Sequence, residues 1–113
     1  MRAWFAEHVV PNTELWVAED QPRPLVGTLV LDGDWIDQLY VDPTLTGRGI
    51  GTALLGLAKR ERPARLRLWT FASNTREQRV YERRGFAEVE RTDGHDNDER
   101  APDILHVWPG GSA

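Results

Sequence analysis

The chain has 113 residues, 40% of them hydrophobic, and a net charge of −4, so it can build one modest core and is too short for several domains. No window approaches the roughly 18 consecutive apolar residues of a membrane span, and Glu7 interrupts MRAWFAEHVV where a signal peptide needs an unbroken apolar run; a soluble, cytoplasmic protein is expected. Zero cysteines exclude disulfides, thiolate metal sites and a cysteine nucleophile, and His8, His95 and His106 lack metal-ligand spacing, so no metal is expected.

Trp4, Phe5, His8 and Val9 fall at helical spacing, which predicts a short amphipathic helix over residues 3 to 9, before Pro11. ELWVAED and LVGTLVLDG then read as strands separated by QPRP. Asp32-Gly33-Asp34 turns the chain into a third strand, WIDQLYV, which ends at Asp42-Pro43. Consecutive strands with tight connections imply an antiparallel meander. At Gly49 the period changes: Ile50, Ala53, Leu54, Leu57 and Ala58 make one apolar helical stripe, closed by Pro63. RLRLWTFAS alternates as a strand does, with Leu66, Leu68 and Thr70 opposed to Arg67, Trp69 and Phe71. Asn74 can cap a helix from Thr75 to Arg84, with Glu77 as its capping-box partner and Gly85 as the left-handed terminator. FAEVERT and ILHVWP complete the strands around the polar loop DGHDNDERAPD.

Charge is unevenly spread along this order. Residues 47 to 85 hold ten basic side chains against three acidic ones, a balance of +7, so the remainder sums to −11. A polyanion meeting the middle, with an acidic remainder for solubility or to draw a cation, accounts for this; so do plain solvated faces. The acidic total argues against extended nucleic-acid binding, and no membrane partner is expected.

TGRGIGT places Gly47, Gly49 and Gly51 at alternate positions just before the apolar helix. In a strand-to-helix connection, missing side chains let backbone N–H groups approach a ligand at the positive end of the helix dipole, which makes an anion cradle. The run does not fit G-x-G-x-x-G, because Thr52 stands where a small residue is needed, and no Gly-Lys-Ser/Thr P-loop is present.

This order of motifs resembles the GNAT (Gcn5-related) N-acetyltransferase superfamily. In that family a strand ending near LYVDP is followed by Q/R-x-x-G-x-G/A opening a helix, and later by Asn, then Tyr, then Gly-Phe. Here these are Thr46-Gly47-Arg48-Gly49-Ile50-Gly51, Asn74, Tyr81 and Gly85-Phe86, and the match covers roughly Leu15 to Trp108. Thr46 departs from the usual Gln or Arg, so a hydroxyl stands where a longer side chain would contact pyrophosphate. Members usually begin with another strand and helix. A single domain over residues 1–113 is therefore expected to be N-terminally short, starting within the second helix and lacking part of the acceptor-side wall. A homodimer is one arrangement that would restore that wall.

The resemblance implies an α/β (α+β) fold: a mixed, mostly antiparallel sheet with a splayed central strand pair and flanking helices. It implies acetyl-CoA as donor, and direct attack by a small-molecule or peptide primary amine in a ternary complex. It lays the pyrophosphate on the backbone of Gly47, Arg48, Gly49, Ile50, Gly51 and Thr52, beside Thr46, with Arg48 adding charge. Pantetheine would run along Leu39, Tyr40 and Val41, with Asn74 at its far end, although Asn74 can equally be a helix cap alone. Tyr81 would act as general acid, giving a proton to the departing thiolate; its plainer reading is a core aromatic. A backbone N–H near Leu39 would hold the oxyanion. For the base Asp37 stands first, with Glu99 and His95 as alternatives whose plainer reading is solvated loop. Trp35 and Trp69 either wall the pocket or belong to the core. Two rival readings stay open: a non-catalytic acyl-CoA-binding or regulatory domain of this type, and a phosphate-binding domain for other nucleotides, which lacks the expected Lys and magnesium ligands.

Overall fold

A computed structural model describes residues 2–10, 13–20, 23–45, 49–95 and 100–111. Packing divides the chain into two units, Met1–Pro63 and Ala64–Ala113. In the first, β1 (Arg2–Val10), β2 (Thr13–Asp20), β3 (Arg23–Asp32) and β4 (Trp35–Val41) pair in chain order as an antiparallel meander. The helix expected over residues 3 to 9 is thus a strand. So short a helix is not self-sustaining in water, and Val9-Val10 is β-branched, which favours extended backbone. Pairing from Arg2 opposite Asp20 to Val10 opposite Thr13 satisfies the segment's backbone instead. The first described element is therefore a strand, not part of a helix.

The pairing of β3 with β4 slips by one residue. Leu31 faces Ile36, but Val30 faces Gln38, which leaves Asp37 as the extra residue of a β-bulge. Asp37 and Gln38 are consequently both exposed, while Ile36 is buried. After β4 a single 3₁₀ turn (Pro43–Leu45) is fixed by Asp42, whose Oδ1 accepts from the Thr44 N–H (2.9 Å) and the Thr44 hydroxyl (2.8 Å). Helix α1 (Ile50–Glu61) then lies on β3 and β4. Of its expected stripe, Ile50, Leu54, Leu57 and Ala58 are buried, together with Leu55, while Ala53 is half-buried.

Gly27 makes that packing possible. A Cβ there would sit 2.8 Å from the Tyr40 carbonyl oxygen and 3.0 Å from Leu54 Cδ1. At the far end of α1, Arg62 donates from Nε to the Gly33 carbonyl (2.6 Å) and from Nη2 to Glu14 Oε1 (3.0 Å), while Trp16 Nε1 donates to Glu14 Oε2 (3.1 Å). Arg62, one of the ten basic residues of the middle, therefore braces the helix end against β2 and the β3–β4 turn.

The second unit contains β5 (Leu66–Phe71), α2 (Thr75–Arg83), β6 (Ala87–Thr92) and β7 (Asp103–Trp108), with β7 antiparallel to both β5 and β6. Leu66, Leu68 and Thr70 of β5 and Ile104, His106 and Trp108 of β7 are buried, whereas Trp69 and Phe71 are exposed, as period-two alternation requires. The polar loop is pinned at its base by Thr92, whose hydroxyl donates to Asp103 and accepts from the Gly94 N–H (3.1 Å). Among the described residues no helix is long and apolar enough to cross a membrane.

Candidate active site

The first unit contributes the start of α1. Gly49 is its N-cap, in the left-handed conformation (φ 79°), and supplies no side-chain cap; the first turn carries no acid. Among the described residues nothing lies within 4 Å of where a Cβ on Gly49 would stand. The space beside Gly49, at the positive end of the helix dipole, is thus unfilled by any described residue, the arrangement that suits an anion. Gly51 faces Val41 at ordinary contact, 3.6 Å from Cβ position to Cγ2, and Thr52 is exposed. Thr46, Gly47 and Arg48 lie outside the described residues.

On β4, Leu39, Tyr40 and Val41 pair with Leu29, Thr28 and Gly27, and Tyr40 is 42% exposed. Beyond them the bulge turns out Asp37. Partial burial, then the charge of Asp32, raises its carboxyl above the ordinary range, which makes it a somewhat better proton acceptor. Trp35 is half-buried.

In the second unit Asn74 caps α2 as the sequence indicates: its Oδ1 accepts from the Glu77 N–H (3.1 Å), and its Nδ2 donates to Glu77 Oε2 (3.1 Å). Its Nδ2 is thereby engaged within the helix end. Gln78 ties the first turn down by donating from Nε2 to the Phe71 (2.9 Å) and Ala72 (3.0 Å) carbonyls. Gly85 is left-handed (φ 93°), and the Phe86 N–H returns to the Tyr81 carbonyl (3.0 Å), closing the helix.

Tyr81 is the one buried residue of α2. Its ring meets Phe86 edge-on, with centroids 5.5 Å apart, and lies 6.3 Å from the ring of His106. Burial, then the negative charge of Glu77, raises its phenol well above the ordinary value, so it stays protonated at neutral pH. The ring is thus a core aromatic, and a protonated phenol is the form a general acid requires. His95 lies in an exposed Asx turn, its N–H donating to Asp93 Oδ1 (2.8 Å), and Glu99 is outside the described residues. Trp69 is 41% exposed, which excludes it from the core.

Sequence reasoning missed the pair behind Tyr81. His106 Nε2 lies 2.9 Å from Thr70 Oγ1, with both residues buried. Burial lowers the His106 pKa, with Glu82 and Glu88 opposing and Arg91 assisting, so the ring is neutral at pH 7. The available signal was alternation in ILHVWP, which places His106 on the same face as Ile104 and Trp108. Among the described residues no cluster of three His, Cys, Asp or Glu side chains suits a metal ion.

The layout agrees with known proteins. A GNAT family acetyltransferase from Elizabethkingia anophelis, solved with acetyl-CoA bound, superposes with a TM-score of 0.79 over 96% of this chain and 97% of its own, at 18% identity, which speaks for the fold. The solution structure of apo YjaB from Escherichia coli matches with a TM-score of 0.76 at 28% identity, over 89% of this chain and 68% of that one. In sequence, the peptidyl-lysine N-acetyltransferase YjaB of Salmonella typhimurium is 33% identical over 101 residues, 88% of this chain and 68% of the relative. For its Escherichia coli counterpart the identity is also 33%, over 77% of this chain and 58% of the relative. Residues 11–88 match the acetyltransferase (GNAT) domain family. The chain belongs to that family, with its α+β acyl-CoA N-acyltransferase fold, and membership makes it an acetyl-CoA-dependent N-acetyltransferase.

Proposed function

We propose that residues 1–113 work as one GNAT domain, a cytoplasmic enzyme that transfers acetyl to a primary amine by direct attack in a ternary complex. The observation that carries this reading is the open, uncapped start of α1 at left-handed Gly49. Backbone N–H groups from Gly47 to Thr52 hold the pyrophosphate, with Arg48 and Thr46 beside it. Leu39, Tyr40 and Val41 carry the pantetheine, and Asn74 approaches its far end. A backbone N–H near Leu39 stabilises the oxyanion. Asp37, aimed by the bulge, takes the amine proton directly or through water, and Tyr81 gives a proton to the departing sulfur.

For the acceptor we propose the lysine side chain of a peptide or protein. The likeness to peptidyl-lysine acetyltransferases supports this, as do the neighbouring carboxylates Asp32 and Asp37, which attract a cation. Incubation with acetyl-CoA and a panel of lysine peptides, amino-terminal peptides and small amines, read by thiol release and product mass, tests the proposal. Acetylated lysine peptide is the expected product; acetyl-CoA binding with no thiol release in any arm would favour a non-catalytic domain. Tyr81→Phe is expected to lower turnover with little change in acetyl-CoA affinity, and unchanged turnover would remove the acid role.

A further inference from the structure

We propose that His106, held by Thr70, is a positioning residue for Tyr81, fixing the phenol ring in the orientation that acetyl transfer uses. The inference rests on the role given to Tyr81 above. Two rings lie near Tyr81, with centroids 5.5 and 6.3 Å away, and they are not equivalent. Phe86 lies just past the end of α2 and is bonded back to it through its N–H and the Tyr81 carbonyl, so it belongs to the same local turn. His106 stands on β7, so its ring relates Tyr81 to a strand and not to its own turn.

His106 is itself locked. Its Nε2 is 2.9 Å from Thr70 Oγ1 on β5, and the two residues are 1% and 3% exposed. A pinned planar ring gives its neighbour a surface of fixed orientation, which a leucine would not. Packing alone does not account for an imidazole here, because Nδ1 is the one buried side-chain nitrogen or oxygen among the described residues with no hydrogen-bond partner. Aliphatic side chains at both 106 and 70 would fill the space without that desolvation. Placing the ring proton on Nε2, donated to Thr70, leaves Nδ1 a bare acceptor, which is the less costly of the two tautomers. Charges reach the ring from two sides: Glu82 on α2, and Glu88 and Arg91 on β6. Burial outweighs the two acids and keeps the imidazole neutral. Neutrality matters, because an imidazolium beside the phenol would favour phenolate and remove the proton Tyr81 has to give.

The test compares His106→Leu and Thr70→Val with the parent chain. In both variants turnover is expected to fall about tenfold or more, with the acetyl-CoA KM held within about twofold. His106→Leu removes the orphaned nitrogen but also takes away the buried partner of the Thr70 hydroxyl, so its melting temperature serves to establish that the variant is folded. In the unliganded chain, NMR should show faster flipping of the Tyr81 ring in both variants. Adding His106→Leu to Tyr81→Phe should cost nothing further, since a residue acting through the phenol has nothing left to act on. Unchanged turnover and ring dynamics in the folded variants would overturn the proposal, as would a full additional loss in the Tyr81→Phe background. If His106→Leu fails to fold, Thr70→Val, a near-isosteric change, decides by the same readouts. Should Tyr81→Phe alone leave turnover intact, the acid role fails first, and an unchanged ring-flip rate would then refute the positioning separately.

Discussion

Gly49 meets two separable demands. Its φ of 79° lies where L side chains rarely go, yet among the described residues nothing crowds the space beside it, so a substitution there is penalised by backbone strain. That strain is worth about 1–2 kcal/mol for an ordinary residue and more for a β-branched one. Gly49→Val should therefore keep the fold, as read by circular dichroism, while acetyl-CoA binding measured by calorimetry is lost because the first N–H groups of α1 are re-aimed. Retained binding would refute the cradle. Arg62 teaches the opposite lesson. It was counted with the residues that could meet a polyanion, but its guanidinium is spent on Gly33 and Glu14. A one-dimensional charge count cannot separate a bracing arginine from a ligand-binding one, because the difference lies in which carbonyl or carboxylate the fold brings near.

At the scale of elements, α1 owes its seat to β3 as much as to its own apolar stripe. Gly27 leaves room for the helix to approach the strand, and a Cβ at 2.8 Å from the Tyr40 carbonyl would meet backbone that cannot simply turn aside. Gly27→Ala should cost about 1–3 kcal/mol, the usual range for overpacking, and should also weaken acetyl-CoA binding by displacing the helix start. A melting temperature and affinity equal to those of the parent chain would contradict this seating. The stripe itself was largely legible, since burial at Ile50, Leu54, Leu57 and Ala58 follows from period, with Ala53 at its half-buried margin. So were the Asn74 cap and the Gly85 terminator, which are local chemistry. The first segment was not. Residues 3 to 9 satisfy a helical template over barely two turns, and the partner that makes them a strand, β2, is a non-local fact. The bulge at Asp37 was equally hidden, because WIDQLYV reads as a regular strand until its register against β3 is known.

For the molecule as a whole, pH offers a readable test. His106 is neutral and buried with a lowered pKa, so the unfolded chain binds the proton more readily. Stability is fully present above the unfolded value of 6.5 and declines as pH falls from there toward the folded value. Asp37 and Glu77 have raised pKa values and act in the opposite sense, gaining stability as pH falls through windows that extend upward from their ordinary values of 3.8 and 4.5. The melting temperature should therefore drop between about pH 7 and about pH 5.5, and His106→Leu should flatten that slope; an identical slope in the variant would assign the effect elsewhere. The family resemblance was readable because the glycine turn and the Asn74 to Phe86 segment are short motifs at fixed spacing. The support behind Tyr81 was not, because it joins β5, β7 and α2, distant in sequence. The slipped rung in the β3–β4 hairpin has an evolutionary corollary. Loss of the single codon for Asp37 would leave Asp32 opposite Trp35 and Gly27 opposite Val41 with an unbroken ladder between them, so, with Asp37 as the base proposed above, one in-frame deletion would turn a transferase into a folded protein that only holds its donor.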